Sequence, residues 1–261
     1  MRSLLSRKTT SDEIDALADI PEDERPLPFR KLLIAKVIIA GGNYSFLSLV
    51  DIGFRALQPL FLSTPIELGG LGLAPHQIGK ILSAFGVLNG FCQIFFFARL
   101  HDYLGSKKLF TIGLTCGLPL IALFPIINGI AKTEGLSPLV WVLVGSQTVL
   151  SVGLSFSYGW PSPFLLRCGA YSPISPITGA VFIYIAAASP NRASLGGTNG
   201  LCQMTVSVFR AIGPAATNGL FSLSISEGYL GGFLVYYVLL ATSAVSLGVA
   251  SLLPGQVLRR T

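Results

Sequence analysis

Two sets of polar residues are spaced so that each shares one side of a helix. Tyr44, Ser48, Asp51, Arg55 and Gln58 recur every three or four positions in an otherwise apolar run. At about 100° per residue they fall within about 80° of one another. Asn199, Gln203, Ser207, Arg210 and Pro214 repeat the arrangement within a similar arc of about 80°. Amides, hydroxyls and ions aligned in this way bind a polar solute or carry a proton. Asp51 and Arg55, at i and i+4, are also placed to neutralise each other. Two roles therefore stand open for them: a proton- or substrate-coupling site, or a permanent internal ion pair. Arg210 has a similar choice between lining a cavity and pairing with a buried carboxylate or carbonyl for assembly alone. Several aligned polar residues, where one suffices for packing, favour the cavity. Pro214 lacks a backbone donor and weakens the helix ladder beside Arg210.

A third pair, Asn89 and Gln93, lies on one face beside Gly86 and Gly90. Interhelical hydrogen bonding accounts for these two amides, and they are also candidates for the cavity wall. Nothing resembles an enzyme's machinery: His76 and His101 fall in different loops, without a nucleophile elbow, phosphate loop or metal-ligand spacing beside either. Cys92, Cys116, Cys168 and Cys202 are scattered and read as small buried apolar residues. No metal, cofactor or catalytic residue is expected.

These stripes need helices to carry them, and the composition states where those helices lie. Of 261 residues, 51% are hydrophobic and only 11% charged, less than half the roughly 25% of a soluble domain. Six stretches reach the roughly 20 apolar residues that a spanning helix requires: Leu32 to Leu62, Gln77 to Phe97, Leu109 to Ile130, Pro138 to Tyr158, Leu195 to Phe221 and Leu230 to Leu253. The expected fold is an all-α, six-helix membrane bundle. The third and sixth spans carry no ionisable side chain in their apolar cores and are expected at its periphery. Basic residues collect in alternate connections: Arg2, Arg7, Lys8, Arg25, Arg30, Lys31 and Lys36 at the start, Arg99, Lys107 and Lys108 after the second span, Arg259 and Arg260 in the tail. By the positive-inside rule both termini are cytoplasmic, and the net charge of +6 marks orientation rather than nucleic-acid binding. Residues 1–31, which hold seven acids before Arg25, are expected to form a largely disordered cytoplasmic linker, and residues 254–261 a cytoplasmic tail. Plasma and vacuolar membranes are not distinguished.

Two segments resemble a known family. Ala98-Arg99-Leu100-His101-Asp102-Tyr103-Leu104-Gly105-Ser106-Lys107-Lys108 is similar to the loop motif of the major facilitator superfamily, with Ala98 in place of its first glycine. The run from Asn199-Gly200 through Arg210-Ala211-Ile212-Gly213-Pro214-Ala215 resembles the fifth helix of the carboxyl-terminal half in fungal members of the general-substrate type. The resemblance covers Phe29 to Leu253 apart from residues 160–180. It implies two three-helix repeats and alternating access about a midplane site for a small solute, with Asp102, Gly105, Lys107 and Lys108 forming a cytoplasmic gating loop. It also implies a missing amino-terminal six-helix half, or a second copy, as the partner beside the lipid bilayer, because polar stripes without one would confront lipid. The competing expectation is a non-transporting fragment that only pairs with other helices.

From residue 160 to 180 the texture changes: Pro161, Pro163, Pro173 and Pro176 exclude a continuous helix. Val181 to Ala188 is apolar again but too short to span, and it reads as the detached end of the fourth helix. The intervening stretch is then a genuine insertion or a retained intron. Sequencing of transcripts across these codons distinguishes the two: an intron origin predicts a fraction of message lacking them, and uniform presence in mature message refutes it.

Overall fold

The computed structural model describes residues 27–158 and 180–251. The acidic segment before residue 27, the proline-rich stretch through residue 179 and the tail from residue 252 lie outside the described residues, as does Cys168. The elements are helical throughout: α1 (Phe29–Leu32), α2 (Ala35–Ser63), α3 (Pro75–Gly105), α4 (Lys107–Glu134), α5 (Pro138–Phe156), α6 (Ala180–Ala188), α7 (Leu195–Ser226) and α8 (Leu234–Ser251). Short 3-10 turns at Ile66–Leu68 and Tyr229–Gly232 precede α3 and α8. Helix thus begins inside the stretch expected to be linker, at Phe29.

Among the described residues five helices, α2, α3, α4, α5 and α8, are long and apolar enough to cross a membrane. This differs from the six spans expected. Helix α7, at 32 residues, is the longest of the set but falls short on apolarity, because its amides, hydroxyls, glycines and Arg210 dilute the hydropathy. Contacts nevertheless align α7 with α2 along its whole length. A side chain at Gly41 would meet Cys202 Sγ at 3.1 Å, Arg210 reaches Ser48, and a side chain at Gly53 would meet Thr217 Oγ1 at 3.3 Å. Residue numbers rise together, so the two helices run parallel. Helix α8 runs antiparallel to α2: the Asn43 amide donates to Val249 O at 3.3 Å, while Leu239 abuts Gly53. Proline at 214 does not break α7, which continues to Ser226.

Helix α2 is the central pillar and packs on α6, α7, α8 and the α3–α4 unit. Small residues let α2 and α7 approach: the space beside Gly213 is filled by Ile52, whose Cγ2 stands 2.5 Å from where a Cβ would be. Aromatic rings fill the other side, with Phe54 against both Phe85 (6.4 Å between centroids) and Phe124 (5.9 Å). Phe85 and Phe124 lie roughly equally far along the chain on either side of Gly105, so α3 and α4 form a hairpin folded at that glycine. Gly105 has φ 76° and ψ 161°, a region open in practice only to glycine. Helix α4, expected at the periphery, is instead well buried, with Leu114, Leu120, Ile121, Phe124 and Ile127 fully covered, while α3 is the least buried span. An apolar helix without charges suits lipid and protein interior equally, so its composition does not choose between them.

The start of α6 lies beside the end of α5. Phe110 O accepts the Ser157 hydroxyl at 3.2 Å while the Phe110 ring contacts Tyr184, and Tyr44 contacts both Tyr158 and Phe182.

The α2–α3 connection is closed by backbone pairing, Leu71 N to Phe61 O (3.0 Å), Gly72 N to Thr64 O (2.7 Å) and Leu73 N to Leu62 O (2.8 Å). Buried Asn128 on α4 then clamps it, its amide donating to Ile66 O (3.0 Å) and Gly70 O (2.9 Å). Replacing Asn128 with Ala leaves two carbonyls without this donor and is expected to cost about 1–3 kcal/mol. Denaturant unfolding in detergent, followed by helical circular dichroism, measures it; an unchanged midpoint would remove the clamp's role.

Candidate solute-binding cavity

The polar residues converge because three helices carry them to one place. On α2, Tyr44, Asp51 and Arg55 succeed one another along a single face; on α7, Gln203 and Arg210 lie opposite; on α3, Asn89 and Gln93 stand one turn apart. Together with Gly86, Gly90, Ile94, Ser155, Tyr158 and Phe182 they line a cavity of about 670 Å³, within the size range of small-molecule sites.

The α2–α7 seam is the most closely bonded part of its wall. Arg210 Nε donates to Ser48 Oγ at 3.1 Å and Nη2 to the Tyr44 hydroxyl at 3.5 Å, with the guanidinium carbon 5.9 Å from the Tyr44 ring centre. The Tyr44 hydroxyl in turn donates to Gln203 Oε1 at 3.3 Å. The T-shaped contacts of Tyr44 with Phe182 and Tyr158 hold its ring between α5 and α6. Two turns further along α2, Arg55 Nε donates to both Asp51 oxygens at 3.0 Å. Asp51 is largely covered, at 16% exposure, whereas Arg55 is 46% exposed and lies 6.0 Å from the Phe85 ring centre. On α3, Asn89 Nδ2 donates to Ser155 Oγ at 3.1 Å, tying the amide wall to α5.

The remaining sequence candidates sit elsewhere. Ser48 is buried behind Arg210 and orients it rather than lining the cavity. Gln58, two turns beyond Asp51, is buried in the apolar part of the bundle, beside the core residues Leu57, Phe61 and Leu62 of its own helix. Ser207 bonds back to Gln203 O on its own helix. Asn199, one turn before Gln203, and Pro214 also fall outside the cavity lining, and Asn199 Oδ1 is covered without a partner. Asp102, Gly105, Lys107 and Lys108 form the α3–α4 turn; Asp102 is 84% exposed, with His101 Nδ1 at 3.7 Å. Sequence reasoning missed Ser155, Tyr158 and Phe182. Ser151, Ser155 and Tyr158 at i, i+4 and i+7 were the available sign of a polar face on the fourth span. Among the described residues no group of histidines, cysteines and carboxylates is arranged to hold a metal ion, and Cys92, Cys116 and Cys202 are free thiols.

A bundle of apolar helices with several polar side chains gathered on one cavity defines a multi-pass membrane protein. The chain is 27% identical to a major facilitator superfamily multidrug transporter of Aspergillus fumigatus, over 84% of this chain and 33% of the relative. It is 25% identical to a major facilitator-type transporter of Psilocybe cyanescens, over 92% of this chain and 42% of the relative. With the ZINC INDUCED FACILITATOR-LIKE 1 protein of Arabidopsis thaliana it shares 27% identity, over 85% of this chain and 43% of the relative. No family model matches the chain, and no solved structure matches it. The chain is a homologue of major facilitator superfamily transporters, fungal members among them, and it spans between 33% and 43% of the length of these three relatives.

If the cavity holds water, single cysteines at Gln93 and Arg210, in a chain whose native cysteines are serines, will react with a charged, membrane-impermeant thiol reagent at least about tenfold faster than one at Val142, because the reactive thiolate needs hydration. Val142 is 66% exposed on the outside of α5. Equal rates at the three positions would mean that the polar wall is not wetted.

Proposed function

We propose that this chain forms the carboxyl-terminal half of a secondary active transporter, which moves a small solute by alternating access, with coupling to a proton gradient through Asp51 and Arg55. The observation that carries the reading is the convergence of Asp51, Arg55 and Arg210 with Asn89, Gln93 and Gln203 on one cavity inside an apolar bundle. Charges on membrane-spanning helices are expensive and usually serve a water-filled path or a binding site. The amino-terminal half, or a second copy, closes the exposed side on which Arg55 lies, and the α3–α4 turn with Asp102, Lys107 and Lys108 forms the cytoplasmic gating loop. In this reading both termini are cytoplasmic, and the lysines sit at anionic headgroups. The relatives' names support transport as the activity, and their greater length supports a missing half. No step calls for catalysis.

The coupling role separates from a purely structural ion pair by two variants, measured in vesicles holding the chain together with an amino-terminal six-helix half. Asp51→Asn is expected to reduce gradient-driven uptake at least about tenfold, a barrier change of about 1.4 kcal/mol, while solute exchange without a gradient persists. The swap of Asp51→Arg with Arg55→Asp preserves an ion pair and hence assembly, but moves the carboxylate by one turn and leaves uptake impaired. Recovery of full gradient-driven uptake by the swap would reduce the pair to a structural tie.

A further inference from the structure

The cavity's charges do not balance. Two guanidinium groups face it against one carboxylate, and Asp51 directs both of its oxygens to Arg55. Arg210 is hydrogen-bonded by neutral groups alone, Ser48 Oγ and the Tyr44 hydroxyl, and packs by the Tyr44 ring, while the Asp51 carboxylate acts on it only through space. Among the described residues no carboxylate forms an ion pair with it. These contacts orient the guanidinium, and one carboxylate shared with Arg55 leaves a positive charge over, which is how an anion-binding arginine is prepared.

The α3 wall supplies the opposite chemistry. Ser155 uses its one hydroxyl hydrogen on Ser151 O at 3.0 Å, so towards Asn89 it acts only as an acceptor. The Asn89 amide is thereby fixed with its nitrogen towards Ser155, and its Oδ1 is left covered with no donor. One turn on, Gln93 Oε1 is also covered and unpaired. Both side chains line the cavity, and a carbonyl oxygen without a donor gains one when its amide turns towards a solute there. Arg55 stands beside Phe85, one turn before Asn89, so the cationic and carbonyl regions are neighbours along α3.

We infer that the solute taken by this cavity is a small organic anion that carries hydroxyl or amino donors: its anionic group pairs with Arg210, and its donors satisfy Asn89 Oδ1 and Gln93 Oε1. The inference rests on the cavity being a solute site, as proposed above. A neutral polyol satisfies only the carbonyl wall, and a simple cation is repelled by the surplus positive charge.

Gluconate and sorbitol, which share a six-carbon polyol chain and differ at the terminal carboxylate, test it by calorimetric titration of the chain in lipid nanodiscs at constant ionic strength. Gluconate is expected to bind at least about tenfold more tightly, as expected for a charge-assisted pair. Arg210→Gln brings the two affinities within about twofold, while Arg210→Lys, which keeps the charge and controls for folding, retains a preference for gluconate. Asn89→Leu weakens both ligands in parallel. Equal affinities in the unaltered chain, a preference that survives Arg210→Gln, tighter binding of 1-amino-1-deoxysorbitol, or no binding of any of the three overturns the inference. Because the assay reads equilibrium binding, anion preference without vesicle uptake sinks the transport reading alone. Uptake of a solute without anion preference sinks only this one.

Discussion

A charge carried into hydrocarbon must meet a countercharge, a dipole or water, and the architecture of this chain is organised around that requirement. Asp51 and Arg55 meet it within one helix, in the i, i+4 geometry that brings Nε to both carboxylate oxygens. Arg210 meets it across helices, through Ser48 and Tyr44. Both solutions need α2, which accordingly stands at the centre, with α6, α7, α8 and the α3–α4 unit around it. The helices without such groups are free to occupy either interior or rim, and packing alone sorts them.

Close approach of α2 and α7 is what makes the cross-helix solution possible. An arginine side chain has enough reach to bridge adjacent helices, but a fixed hydrogen-bonding geometry requires the backbones to be near. Gly41, Gly53 and Gly213 remove the side chains that would hold them apart, with Cys202, Thr217 and Ile52 filling the spaces. Parallel travel of the two helices then repeats the polar contacts at successive turns, from Tyr44 with Gln203 to Ser48 with Arg210. The same parallelism sets α7, expected as the fifth span, alongside α2 although it falls short of the apolarity of the other long helices.

Much of this was legible in the sequence, and the exceptions have physical causes. Helix positions follow from apolar run length, and the two long stripes from a period of three to four residues. The stripe on α2 overestimates the cavity at Gln58, because an arc of about 80° on a helix with several neighbours faces more than one surroundings. Asn199 and Ser207 share an arc with Arg210 without lining the cavity; angle along a helix is readable from spacing, whereas distance from a cavity is not. Ser155, Tyr158 and Phe182 escaped notice because serine and tyrosine in an apolar span read as packing residues and because α5 and α6 are separated in sequence. The expected place of α4 at the rim failed for a related reason, since lipid and protein interior reward the same side chains. Relatedness to major facilitator transporters was carried by short runs around Asp102 and Arg210, and the similarity extends over most of the chain.

The turn at Gly105 has a mechanical consequence. With little more than one glycine between α3 and α4, there is no slack in which a change of tilt can be lost. The amides Asn89 and Gln93 ride on one arm of this hairpin, while Phe124, edge-on to Phe61 and stacked on Tyr236, is anchored on the other. Any outward swing of the amide wall is therefore handed to the aromatic anchor, so that the lining of the cavity and the pillar behind it keep step as a single lever.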